Sequence, residues 1–264
     1  MDPFGCWTTV SYLGVRIWDF GYWTGGRAAR IAVATTLVTV TAAALVQCAP
    51  APAPVRSSSA PVPVLPSPAT PAIAQDRAAV ISPVTPVELG ASWRPDCPVA
   101  PAALRQVELD YVGFDGRLHR GELIVHEMAV DDVVNIFGQL RRLRYPIERM
   151  RNVDRYAGAD DELSMEDNNT SAFNCRPLPH SDSWSRHAYG MAIDLNPLIN
   201  PYIDGAGDLQ PNNAGRYLDR RRTDPGLLHN GDPAVLAFTD RGWTWGGAWR
   251  NPIDYQHFER RAVS

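Results

Sequence analysis

The chain has 264 residues, 45% of them hydrophobic and 20% charged, with a formal net charge of −4. From residue 88 onward 20 Arg face 26 Asp and Glu, leaving that part at −6, which excludes the basic surface that nucleic-acid binding requires. All 25 basic residues are arginine, a coding bias to which no function attaches.

Arg27 and Arg30 precede an uncharged run from Ile31 to Val46, the order of an export signal. Sixteen residues is short of the roughly 20 that span a bilayer, so a cleaved signal and a retained anchor are both consistent with it. Cys48 follows Leu45-Val46-Gln47 and resembles a lipoprotein site, except that Gln47 stands where a small residue is wanted. The first 26 residues form an unusual leader for a signal, as a start codon placed too early would give. Residues 1–48 are therefore expected to be leader and export signal or membrane anchor, and the chain to be exported, facing the cell wall or medium. Membrane contact is expected only through this segment.

Residues 49–90 read as a Pro/Ala-rich disordered linker, because Ala, Pro, Val and Ser alternate there without an apolar period and cannot repay their ordering entropy. The remaining 91–264 is the size of one domain, expected to be monomeric. Past the linker only Cys97 and Cys175 remain. Outside the cytoplasm such cysteines tend to pair, closing a loop worth about 4–5 kcal/mol by chain entropy; two separate buried thiols are the alternative.

Within the domain, Val107, Leu109 and Tyr111 alternate with polar residues and predict a half-buried strand, Asp115-Gly116 a tight turn, and 121–126 its partner strand. Val130, Val133, Val134, Phe137, Leu140 and Leu143 fall at helical spacing, with Asp131 and Asp132 in the first turn, so a helix is expected over 130–144, ended by Pro146. Residues 157–186 show no period and read as a long surface loop. Asp232-Pro233 starts a helix that Gly242 stops, and 243–260 reads as turn, Gly-rich bend and final strand. A hairpin, a helix, a loop and then more strand and helix indicate an α+β class.

Two segments stand apart from this scaffold: Ser185-Arg-His187-Ala-Tyr-Gly190-Met-Ala192-Ile-Asp194 and Asp254-Tyr-Gln-His257-Phe-Glu259. Two imidazoles and a carboxylate suffice as protein ligands of a catalytic zinc, leaving a fourth position for water. His187 and Asp194 lie seven apart, a spacing that puts them on opposite faces of a plain strand. The chain must bend between them, and Gly190 is the residue that tolerates the bend. A single such His or Asp is more often a hydrogen-bonded polar residue of loop or core, so spacing alone does not decide.

The pair of motifs, Ser-x-His-x-x-Gly-x-Ala-x-Asp and, some 60 residues on, Asp-x-x-His-Phe, resembles that of the VanY-type zinc D-alanyl-D-alanine carboxypeptidases and their relatives the L-alanyl-D-glutamate endopeptidases, over roughly residues 95–260. The resemblance implies one Zn2+ per chain held by His187, Asp194 and His257, with Asp254 as general base. Arg176 then resembles the arginine that steadies the scissile carbonyl, although its surroundings differ from the Gly-Tyr-Arg of relatives, and Ser185 lines the substrate pocket. It also implies a small α+β domain with a central antiparallel sheet flanked by helices and the zinc site on the sheet.

Glu259, two beyond His257, is the rival base, or else an outer partner of that histidine or of a nearby arginine. His180 is expected in solvent, and His119, His126 and His229 lack ligand-like neighbours. Trp243, Trp245 and Trp249 are expected in the core rather than as the floor of a groove. The function that the resemblance implies is hydrolysis of peptidoglycan stem peptides, as a D,D-carboxypeptidase or an L,D-type endopeptidase. The rivals are a non-catalytic wall-peptide-binding module that keeps zinc, for which Asp254 has no use, and a sugar hydrolase using Asp194 and Asp254, which leaves both histidines idle.

Overall fold

Alternation over Val107–Tyr111 runs through the first large element. In a computed structural model, which describes residues 77–178 and 181–260, Leu104–Val112 (β2) and Leu118–His126 (β3) form an antiparallel hairpin of nine residues each. Gly116 turns it with a positive φ of 74°. A short strand, Val80–Pro83 (β1), adds to the free edge of β2, and Thr85 caps the single turn Pro86–Leu89 (α1) through a reciprocal bond with Glu88. The linker expected over 49–90 therefore ends earlier: Val84 and Leu89 are buried, and the domain starts by residue 80, not 91. Four-residue elements among prolines leave no period to read. The export segment, Cys48 and His180 lie outside the described residues, and no described helix is long and apolar enough to cross a membrane.

The two faces of the hairpin serve two clusters. Val107, Leu109, Tyr111, Leu123 and Val125 pack on the long helix Val130–Arg142 (α2), whose buried stripe is Val130, Val133, Ile136, Phe137 and Leu140. Leu143 is exposed, and the helix ends at Arg142, short of the expected 144, with Arg144 at a positive φ of 54° ahead of Pro146. Leu104 and Ile124, pointing the other way, meet Val84, Leu89, Phe173 and Cys175. Cys97 and Cys175 are joined by a disulfide, Cα to Cα 5.9 Å.

The expected loop 157–186 is not structureless. Asp160 accepts from the Leu163 amide at 3.0 Å and starts the helix Asp161–Glu166 (α3). Arg149–Met150 (β4) and Asn169–Thr170 (β5) pair in parallel on either side of it. Its mostly polar sequence hides the helix, since its signal lies in the cap rather than in hydrophobicity.

The C-terminal part supplies Ala192–Asp194 (β6), Tyr202–Ile203 (β7), Leu209–Gln210 (β8), the helix Pro233–Thr239 (α4), Thr244–Trp245 (β9), Ile253–Asp254 (β10) and His257–Glu259 (β11). They make two further three-stranded sheets, in the orders β6-β11-β9 and β10-β7-β8. The class is α+β, in one small domain built on antiparallel sheets and helices. The single central sheet is replaced by several small ones among the described residues, because strands of two or three residues broken by turns cannot extend one ladder.

Candidate metal centre

Local rules place each polar side chain. Ser185 accepts from the His187 amide at 3.3 Å and so caps the short 3-10 turn Arg186–Tyr189 that carries His187. Gly190 ends that turn at φ 64°, ψ 26°, where a Cβ would stand 2.6 Å from the backbone nitrogen of His126; only glycine fits. The chain then reverses into β6. Asp194 exchanges backbone bonds with Ser171 on one side, and β11 pairs with β6 on the other with His257 opposite Asp194. Phe258 points the opposite way, fully buried and stacked on Phe238 at 3.8 Å, which pins the register.

The three side chains converge. His187 Nε2 lies 3.1 Å from Asp194 Oδ2, His257 Nδ1 lies 3.0 Å from Asp194 Oδ1, and the two ring nitrogens are 3.2 Å apart. All three residues are buried, with one ligand atom from each within 4.8 Å of the others.

The proton positions fit a metal. His187 Nδ1 faces the Ala172 carbonyl at 2.5 Å, an acceptor only, so its proton belongs on Nδ1 and Nε2 presents a lone pair. His257 has a carboxylate at each nitrogen, Glu259 Oε2 3.3 Å from Nε2 and Asp194 Oδ1 3.0 Å from Nδ1; when Nε2 donates its proton to Glu259, Nδ1 presents a lone pair on the Asp194 side. Two ring nitrogens and a carboxylate this close together are placed to hold a cation among them. Two nitrogens and one oxygen are the donor set of a transition metal such as zinc rather than of calcium or magnesium, which take oxygen. The site also attracts protons: burial opposes a charge on His257, yet its hydrogen bonds to Asp194 and Glu259 raise its pKa to about 10, so a metal bound at Nδ1 would displace a proton there. Burial likewise opposes the Asp194 charge, and the two histidines hold that carboxyl far below its usual range.

Asp254 ends β10, which Tyr202 of β7 flanks. Gly246 admits it, since a Cβ there would meet the Asp254 carbonyl oxygen at 2.7 Å. Burial, seconded by the Asp194 charge, pushes its carboxyl up to about 7, against the pull of His257, His187 and Arg176, and its Oδ1 is buried without a hydrogen-bond partner. Arg176 is ion-paired with Asp161 of α3 at 2.7 Å, and its Nε has no partner. Trio, Asp254, Arg176, Ser185 and Glu259 all line one cleft of about 300 Å³.

The cleft also brings in residues that the sequence did not single out: Asp161, Trp184, Tyr202 and Gln210. Only Trp184, beside the first motif, carried any positional signal. Of the three tryptophans, Trp243 and Trp245 are buried in the core, whereas Trp249 lines the cleft, its ring 5.6 Å from that of His257. The remaining histidines described are elsewhere: His119 on Asp115, His126 capping the Met128 amide, His229 between Asp232 and Arg220.

With this geometry in place, the chain can be compared with known proteins. Residues 179–260 match the family model described as D-alanyl-D-alanine carboxypeptidase. This is the VanY-type family that the two motifs resemble, and the match spans both of them, from ahead of Ser185 through Glu259. It begins at 179 rather than near 95, so Arg176 and both disulfide cysteines lie outside it. The match supports, at the family level, a peptidase related to peptidoglycan. No curated protein and no solved structure gives a significant match.

Proposed function

We propose that the chain is a zinc-dependent peptidase that hydrolyses an amide bond of peptidoglycan stem peptides, acting as a D,D-carboxypeptidase or an L,D-type endopeptidase. The observation that carries this reading is the convergence of His187, Asp194 and His257 in a cleft that also holds a second acid, Asp254, whose Oδ1 is buried without a hydrogen-bond partner. A binding module has no use for that carboxylate, and a sugar hydrolase has none for the histidines.

Zinc, when bound, supplies Lewis acidity toward the scissile carbonyl and the attacking water. Asp254 takes the proton from that water and returns it to the leaving amine. Burial suits it to the task, because an acid–base group works best with a pKa near the working pH. Arg176, held by Asp161, offers its guanidinium to the carbonyl oxygen as charge develops there. Ser185 shapes the pocket wall from its capping position. Trp184, Trp249 and Tyr202 give the walls apolar surface for the peptide.

Export belongs to the same reading. A Cys97–Cys175 disulfide suits an oxidising compartment, and the segment before residue 49 would deliver a monomeric domain to the wall. The test is digestion of purified peptidoglycan with and without a chelator, followed by product masses. Chelator-sensitive release of D-alanine or of shortened peptides supports the proposal and names the bond. Peptide bound intact points to a binding module, and new reducing sugar ends to a glycosidase; either overturns it.

A further inference from the structure

The two ligand histidines are braced from outside by different groups. His187 gives its outer nitrogen to a neutral acceptor, the Ala172 carbonyl. His257 gives its outer nitrogen, Nε2, to the Glu259 carboxylate at 3.3 Å, while Nδ1 turns inward to Asp194. Glu259 stands two residues along β11, hence on the same face as His257, and its backbone pairs with Ala192 of β6. Its side chain is 23% exposed, at the edge of the cleft rather than among the three converging atoms. Asp254 reaches the trio from a different strand, β10.

We propose that Glu259 is a positioning residue of the metal centre: its carboxylate keeps the His257 proton on Nε2 and the lone pair on Nδ1, so that metal affinity depends on a side chain that does not touch the metal. The proposal rests on the reading of the trio as a metal centre. An imidazole has two nitrogens and binds a metal through only one. A ring free to flip, or to carry its proton on Nδ1, presents no lone pair to the site. A carbonyl can fix the tautomer, as Ala172 does for His187, but a carboxylate also adds negative charge behind the ring and makes the inward nitrogen a stronger donor. The same geometry removes Glu259 as a rival base, since it is bonded to the ring nitrogen opposite the one facing Asp194.

The experiment measures zinc affinity by chelator competition for the full chain, Glu259→Ala and Glu259→Gln, with the visible spectrum of the cobalt(II)-substituted proteins and peptide turnover at saturating zinc. Glu259→Ala is expected to bind zinc about 10- to 100-fold more weakly, with an altered cobalt spectrum. Glu259→Gln, which keeps an oxygen acceptor of the same shape, should fall between it and the parent and keep the parental spectrum. Both should recover most turnover once zinc is saturating. Parental affinity in Glu259→Ala overturns the proposal, as does lost turnover with parental affinity, which would make Glu259 the base. A parent chain that binds no zinc sinks the metal centre itself and this proposal with it, an outcome distinct from the other two.

Discussion

On the proposed reading Asp254 and the trio do different jobs in the cleft they share, and substitution should separate them. Removing His187, Asp194 or His257 leaves an incomplete donor set, so each alanine variant is expected to lose zinc. Asp254 sits beside that set with Oδ1 unpartnered, and Asp254→Ala should keep close to one zinc per chain while turnover falls about 10²- to 10⁴-fold. Binding of uncleaved stem peptide should survive, since ground-state contacts and transition-state chemistry are separable; calorimetry with the variant checks it. Zinc lost from Asp254→Ala would make Asp254 a ligand instead. That these four residues meet in one cleft was readable because the two short motifs carrying them resemble a known pair in the same order. Asp161, the partner of Arg176, was not, because nothing local marks an ion pair between a helix start and a residue fifteen positions later. Ser185 was read only as pocket lining, although its side chain also caps the turn that aims His187.

The bend that brings His187 and Asp194 together depends on one residue. Gly190→Ala places a Cβ 2.6 Å from the His126 nitrogen and 2.9 Å from Leu104 Cδ2, at φ 64°. Left-handed strain alone costs on the order of 1–3 kcal/mol. A domain of this size loses about 2–4 °C of Tm per kcal/mol, so thermal unfolding is expected roughly 2–12 °C lower, with weaker zinc binding. An unchanged Tm would mean the bend tolerates a side chain. The hairpin and α2 were legible from alternation and helical spacing, which long elements repeat often enough to read. α3 was hidden by its polar residues, and the small sheets were read as one because two-residue strands such as β7 and β8 are defined by their partners.

The domain boundary shows where composition misleads. Val84 and Leu89 are buried in the cluster that also holds Phe173 and Cys175, next to Arg176, and Arg77 bonds Asp110 through backbone and side chain. Chains starting at 77 and at 91 should therefore differ: the shorter loses two buried apolar side chains, and the loss of Leu89 alone is worth about 2–5 kcal/mol by analogy with core truncations. Urea unfolding of the two checks it, and equal midpoints would restore the boundary at 90. The Cys97–Cys175 disulfide ties the same N-terminal layer to the segment ahead of the first motif. Replacing both cysteines by serine should cost about 2–5 kcal/mol, read in the same unfolding experiment.

Metal analysis of the purified chain, coupled to stem-peptide hydrolysis before chelation, after chelation and after zinc is returned, tests whether one zinc held by His187, Asp194 and His257 drives peptide cleavage. The expected result is about one zinc per chain, with hydrolysis lost on chelation and regained with zinc. A chain that holds no zinc, or that cuts the peptide equally well after chelation, would contradict it.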